Sequence, residues 1–270
     1  MNRIVLCILG LIMLAVILYI YNQISSFCVS NQIFNSKKLS GELRITQISD
    51  YHSNRLIDQD RLLDEIRKFN PHMIMLTGDI IDGRTEEISP ILKSIEMIHK
   101  VNRNVFFVIG NHELRNPKGE DFVWGLEEMG IKVLDNKHTT LKVNGDIINI
   151  AGLSYDADLE DYERSIEGLD NESFNILLSH SPDKPIVYSS GLEDLILSGH
   201  THGGQIRLPI IGAILAPDQG LFPKYDKGSF RLGSTILYID SGLGNSLLPI
   251  RLFNRVQISN ITVKSMEEKQ

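Results

Sequence analysis

Five times between residues 45 and 204, a run of strand-forming apolar residues breaks off into a short cluster of aspartate, asparagine or histidine. The clusters are ISDYH (Asp50, His52), LTGDIID (Asp79, Asp82), VIGNHE (Asn111, His112, Glu113), LLSH (His180) and LSGHTHGG (His200, His202), and they hold five of the eight histidines. Taken singly, each reads as a turn or cap, because Asp, Asn and His satisfy backbone groups where a strand ends. Together they restrict the fold much further. Ligands of α/β sheets gather at the carboxyl edge of the strands, so the chain is expected to bring these ends to one site.

The intervening sequence supports such sheets. GELRITQIS reads as a strand, IDQDRLLDEIRKFN as a helix stopped by Pro71, HMIMLTGD as a strand, EEISPILKSIEMIHK as a helix and NVFFVIGN as a strand, a ladder that builds parallel pairs. The second half is poorer in helix: IKVLDN, TTLKVNG and DIINIAGLS read as strands, with Asn144-Gly145 as a hairpin turn. FNILLSHSP, EDLILSGHTHGG, QIRLP, STILYIDSG and RVQISNITV continue the pattern. The fold class expected is α/β, with two mixed sheets packed face to face and helices outside. No linker divides residues 41–265, which are read as one domain followed by a polar tail, 266–270.

The N-terminus is of another kind. From Ile4 to Ile20 the chain carries no charge, and a helix of that length nearly crosses a hydrocarbon core of roughly 30 Å. Residues 1–21 are read as a transmembrane anchor, since the following YNQISSFCVSNQ offers no A-x-A-like cleavage site and no lipid-attachment pattern. Residues 22–40, rich in Asn, Ser and Gln, read as a tether. Arg3 precedes the span and no lysine or arginine follows before Lys37, which places the bulk of the protein outside the cytoplasm at the cell membrane. Cys7, inside the span, and Cys28, beyond it, could not approach to disulfide distance.

A formal net charge of −7 over 270 residues argues against a general affinity for nucleic acid. The clustered carboxylates, imidazoles and amide oxygen, with no thiolate among them, suit divalent ions such as Mn, Fe or Zn. Asp50 and His52 are two apart, as are His200 and His202, so on extended backbone each pair projects to one side. There are too many donors for a single structural zinc. Two ions account for them, with Asp50, His52, Asp79 and His202 serving one, and Asp79 as a shared carboxylate with Asn111, His180 and His200 serving the other.

The ordered set Asp-x-His, Gly-Asp-x-x-Asp, Gly-Asn-His-Glu, His and Gly-His-x-His, complete from Asp50 to His202, resembles the calcineurin-like metallophosphoesterases. The GHTHGGQIRLP ending, with LLPIRLFNRVQI later in the chain, is similar to the membrane-anchored or exported YkuE-like bacterial group within that superfamily. The resemblance covers about residues 42–262 and implies a four-layer α/β/β/α sandwich and hydrolysis of phosphate esters or pyrophosphates by a hydroxide shared between two ions. It gives His112 the part of protonating the leaving oxygen or otherwise stabilising the transition state, with Asp82 accepting a hydrogen bond from it and fixing its orientation. Glu113 is read as structural.

There are departures. Where many phosphatases of the superfamily place a phosphate-gripping arginine, this chain has Gly83, with Arg84 one later as a substrate contact. Asn54 is open to two readings, a substrate contact or a turn cap. His72, His99 and His138 fall outside the pattern and read as structural. The apolar loop IIGAILAPDQGLFPKYDKG is expected to be buried against the domain, the alternative being contact with the bilayer or a lipid-like substrate. The substrate expected is a phosphate ester. Two rivals stand beside this reading: a UDP-2,3-diacylglucosamine pyrophosphatase-like hydrolase of a lipid precursor, and a non-catalytic module whose metals are structural.

Overall fold

A computed structural model of the chain describes residues 3–245 and 249–266. Its first sheet takes β1 (Cys28–Ser36), β16 (Gln257–Ser265), β2 (Leu43–Ile48), β3 (Met73–Leu76), β4 (Val105–Phe107) and β5 (Lys132–Val133), in that spatial order. β2 to β5 run parallel, β16 pairs antiparallel with β2, and β1 lies parallel to β16. The second sheet orders β14 (Gly228–Leu232), β15 (Thr235–Ile239), β9 (Leu195–Ser198), β8 (Phe174–Ser179), β7 (Asp146–Leu153) and β6 (Lys137–Val143). β15, β9, β8 and β7 are parallel, and β6 and β7 form the hairpin expected at Asn144-Gly145.

The sheets face each other across Ile45, Met75, Phe106, Ile150, Ile176, Leu197 and Ile261. The outer face of the first sheet buries Ile48, Ile74 and Phe107 against α2 (Gln59–Phe69), α3 (Ser89–Val101) and α5 (Gly119–Glu128), which contribute Leu62, Ile66, Ile95, Ile98 and Phe122. The outer face of the second sheet packs Leu153, Leu177 and Ile239 against Tyr162 of α6 (Leu159–Ile166). These are the four α/β/β/α layers anticipated from the sequence. α2 shows how local signals set an element: Asp58 caps its start by accepting from Arg61 N–H, and Asn70 ends it in left-handed conformation before Pro71.

α1 (Arg3–Ser25) is long and apolar enough to cross a membrane, with a mean hydropathy of 3.0, and it is exposed along nearly its whole length. The region after it corrects the sequence reading. Residues 22–40 are not a loose tether: the helix continues to Ser25, and β1 pairs with β16 over nine consecutive positions. The Asn-rich composition conceals this strand because an edge strand needs only one apolar face, and its backbone groups are satisfied by the neighbouring strand. The helix is locked to the domain, with Gln23 O accepting from Val256 N–H and Ile24 O from the Asn54 amide. Of the polar tail expected over 266–270, only Met266 falls within the described residues.

Candidate metal centre

β2, β3, β4, β8 and β9 end just short of the five clusters, so their carboxyl ends deliver all seven predicted donors to one edge of the sandwich. The local backbone differs from the extended conformation assumed above. Five of the seven, Asp50, His52, Asp79, His200 and His202, have φ between 47° and 70°. Left-handed backbone is uncommon for residues other than glycine and is concentrated where function holds it in place. Convergence of Asp50 with His52 therefore comes from sharp turns after the strand. Two glycines make the approach possible. Gly78 has φ 83°, and a Cβ there would lie 2.7 Å from the His180 ring; one on Gly110 would lie 2.3 Å from Asp79 Oδ1.

Asp79 is the centre of the arrangement. Its Oδ2 lies 3.7 Å from His52 Nε2, 3.0 Å from His180 Nε2 and 4.0 Å from His112 Nε2. On one side Asp50 Oδ1 is 4.0 Å from His52 Nε2 and 3.6 Å from His202 Nε2. On the other, His200 Nδ1 is 3.2 Å from His180 Nε2. Asp50–His52–His202 and Asp79–His180–His200 are each compact enough to hold a cation. All these side chains except that of the half-buried His112 are buried, and so is Asn111, the first residue of α4 (Asn111–Arg115).

The protons decide what the cluster lacks. His180 Nδ1 lies 2.8 Å from Thr77 O, so it carries a hydrogen, and Nε2 faces Asp79, presenting a lone pair once the ring is neutral. His200 Nε2 lies 2.7 Å from Asp218 Oδ2 and must likewise be the donor, which leaves a lone pair on Nδ1. His180 Nε2, His200 Nδ1 and the Asp79 carboxylate thus meet at 3.0–3.2 Å, a junction that needs either a proton, held by His180 in the metal-free protein, or a cation among them. Neighbouring ligands of one divalent ion, at roughly 2.0–2.2 Å from it, would stand about this far apart. Both ring nitrogens of His52 and Oδ1 of Asn111 are also buried without a hydrogen-bond partner. Buried polar atoms left in this way are costly unless something binds them. The donor set fits divalent cations.

The titration tendencies report the same deficit of positive charge. Burial opposes a charged His180, but Asp79 overrides it and lifts the imidazole to about 10. Burial likewise opposes ionisation of Asp79, yet His180, His52 and His112 hold it well below the ordinary carboxylate range. Burial, then His52 and Arg251, drives His202 far toward the neutral form, and burial with His180 lowers His200. Neutral imidazoles are the form that ligates metal.

Around the centre the structure alters one reading and adds detail to the others. The His112 ring is not oriented by Asp82: its Nδ1 accepts from Gly83 N–H at 2.8 Å, whereas Asp82 Oδ2 is 3.5 Å away and equally 3.5 Å from His52 Nδ1. Gly83, where an arginine was missed, supplies that amide. Asn54 serves the turn and the domain, its amide donating to Ile24 O and Leu243 O and its oxygen accepting from Leu56 N–H. Arg84 is exposed at the rim, its Nε tied to Asp82 Oδ1 at 3.0 Å, beside a groove lined by Ser53, Arg55 and Glu87. Glu113 accepts from four backbone N–H groups, those of Asp79, Ile80, Ile81 and Gly110.

Two residues escaped the sequence reading. Asp218, from the apolar loop, accepts from both His200 Nε2 and the Tyr155 hydroxyl. Arg251 is wholly buried and donates to the carbonyls of Ser241, Gly244, His202 and Asn254, clamping the backbone of His202. Burial pulls its guanidinium down to about 10. Only the LLPIRLFNRVQI resemblance pointed toward Arg251, and no local pattern pointed to Asp218.

With this geometry in place, the chain can be compared with known proteins. The sequence profile described as Calcineurin-like phosphoesterase matches residues 43–204. The chain is 34% identical over 232 residues to the uncharacterized metallophosphoesterase YkuE of Bacillus subtilis (strain 168), covering 82% of this chain and 79% of that protein. It is 27% identical over 240 residues to a transmembrane protein with metallophosphoesterase domain from Danio rerio, covering 82% and 53%. Among solved structures it resembles Haemophilus influenzae NAD nucleotidase (NadN), with a TM-score of 0.53 and 18% identity over 75% of this chain and 51% of that one. The chain spans about half the length of the last two proteins, and the likeness to NadN is one of fold.

Proposed function

The chain belongs to the calcineurin-like phosphoesterase family and is a metal-dependent phosphoester hydrolase, and from that premise we propose a membrane-anchored enzyme working with two divalent ions that share Asp79. Asp50, His52 and His202 would complete one ligand set, and Asn111, His180 and His200 the other. When bound, the ions supply Lewis acidity, a water of lowered pKa and neutralisation of phosphate oxygens. The chain's own residues do the rest. Gly83 N–H occupies His112 Nδ1, so the neutral ring carries its hydrogen on Nε2, which lies toward Asp79. That N–H is placed to donate to the oxygen of the departing group. Asp218 fixes the tautomer of His200, as carboxylates do for ligand histidines. Arg84 at the rim would meet the part of the substrate beyond the phosphate.

The observation that carries this reading is the close meeting of Asp79 Oδ2, His180 Nε2 and His200 Nδ1, at 3.0–3.2 Å. α1 would be the anchor, and Arg3 at its start favours an extracytoplasmic catalytic domain. The test is hydrolysis of aryl phosphate mono- and diesters by the full chain in detergent, with and without added Mn²⁺. Turnover should require the ion and disappear in Asp79→Asn. Full turnover of Asp79→Asn after chelation would overturn the proposal. A lipid-linked phosphate substrate is the second reading. It is favoured by the loop residues Ile210, Ile211, Leu221 and Phe222, which the structure leaves exposed instead of buried against the domain as expected.

A further inference from the structure

Between Gln205 and Asp226 the chain forms two short hairpins, β10 (Arg207–Leu208) with β11 (Gly212–Ala213) and β12 (Leu215–Ala216) with β13 (Gly220–Leu221). Each hairpin turns only its small residues inward: Ala213 and Ala216 are buried, while Leu208, Ile211, Leu215, Leu221 and Phe222 are exposed. Ile210, at the tip of the first, is fully exposed and has φ 75°. A β-branched residue is strained in that conformation, and no contact within the domain offsets both costs. Large apolar side chains gathered in this way mark a surface that is covered in use.

The position of the hairpins identifies the cover. Arg207 N–H donates to Leu252 O and Leu252 N–H to Gln205 O, so the base of the first hairpin is joined to residues 250–253. The next residue, Phe253, packs its ring at a tilt against Tyr19 of α1, 6.0 Å between centroids, and its N–H donates to the Tyr19 hydroxyl. Tyr19 lies near the end of the apolar span, where aromatic residues mark the boundary between lipid and water. Ile210 is three residues beyond Arg207, a reach of about 10 Å. The hairpins therefore open beside the point at which α1 leaves the bilayer.

Their chemistry agrees. From Ile206 to Tyr225 the sequence IRLPIIGAILAPDQGLFPKY contains one acid, Asp218, which is held by His200 and Tyr155. Lys224 is exposed, with its ammonium over the Tyr225 ring. Aliphatic residues and a phenylalanine beside a lysine form the pattern of a segment lying in the headgroup region, the lysine reaching to anionic lipid.

We infer that residues 206–225 are a second membrane contact, seated in the leaflet from which α1 emerges, and that this seating presents the site to phosphate esters carried on lipid. The inference rests on the reading of α1 as an anchor. The loop that enters the lipid is also the loop whose Asp218 holds His200, so the reacting phosphate is taken at the bilayer surface and not from bulk solution.

Fluorescence quenching in vesicles tests it. The full chain carrying Trp124→Phe is reconstituted into phosphatidylcholine–phosphatidylglycerol vesicles with or without brominated acyl chains. One tryptophan is then introduced at a time: Leu11→Trp within α1, Ile210→Trp and Phe222→Trp in the hairpins. Trp124 of the unsubstituted chain, exposed on α5, serves as the dry reference. Leu11→Trp and both hairpin variants should lose at least roughly half their emission to the brominated lipid, a depth expected of interfacial segments, while Trp124 keeps its emission. Quenching of Leu11→Trp with neither hairpin variant quenched leaves the anchor standing and overturns the second contact, making a protein partner the occupant of the apolar surface. Absence of quenching at all three positions overturns the anchor and the inference with it. Melting curves establish that each variant is folded, and the two hairpin positions are independent, so loss of one variant leaves the other to decide.

Discussion

Glu113 gives the sharpest prediction about what keeps the site assembled. Its Oε2 accepts from Asp79 N–H and Gly110 N–H, both at 2.9 Å, and its Oε1 from Ile80 N–H at 2.8 Å and Ile81 N–H at 3.1 Å. Burial, reinforced by Asp79, pushes the carboxyl up to about 7, yet four donors can all be satisfied only by the ionised form. Glu113→Gln keeps the volume and removes one acceptor oxygen. Whichever way the amide is turned, two of the four backbone N–H groups then face an NH₂. At about 1–3 kcal/mol for each orphaned buried donor, the loss is roughly 2–6 kcal/mol, against a total stability of about 5–15 kcal/mol. At roughly 2–4 °C per kcal/mol in a domain of this size, the melting temperature should fall by about 5–20 °C. The assay is thermal unfolding by circular dichroism in the presence of chelator, so that only the scaffold is read. A Glu113→Gln protein melting within about 2 °C of the parent would refute the reasoning, since two orphans at even the low end of the range must show more than that.

Three further outcomes are expected. Asp218→Ala removes the acceptor that fixes His200, and Mn²⁺ affinity measured by electron paramagnetic resonance should weaken by about 10–100-fold, with an unchanged far-UV spectrum. His112→Asn should lower kcat by about 10²–10⁴-fold while the metal content of the purified protein stays that of the parent, as the proposed role of the ring is donor and not ligand. His180, lifted to about 10 by Asp79 against the opposing effect of burial, holds a proton at pH 8 in metal-free protein. Ion binding at that pH should expel it, so calorimetric titrations in buffers of differing ionisation enthalpy should report close to one proton released; no buffer dependence would contradict the assignment.

The strands and their polar ends could be read in the sequence because both rest on local chemistry. Apolar β-branched runs such as LRITQI and FNILLS need burial, and the Gly-Asp, Gly-Asn and Gly-His steps that follow can only be turns. The donors' identities were therefore legible, but the way they converge was not. Asp50 and His52 meet through left-handed backbone, a conformation that the surrounding packing imposes and single residues do not announce. β1 was hidden by its composition, since an edge strand half exposed to water can be as polar as a linker. Asp218 and Arg251 are brought to the site by the fold, and apart from the family-like LLPIRLFNRVQI segment around Arg251 nothing near them in sequence betrays a role. The hairpin loop was misplaced because hydrophobicity alone says that a segment avoids water; it does not say whether protein or lipid covers it.

The number and position of the bound ions decide whether Asp79 is the shared ligand. Crystals of the full chain grown with Mn²⁺ and measured at the manganese absorption edge should give two anomalous peaks, one on each side of the Asp79 carboxylate, the first beside His52 and His202 and the second beside His180 and His200. A single peak in an enzyme that still turns over, or peaks remote from Asp79, would contradict the shared-carboxylate centre on which the proposed function depends.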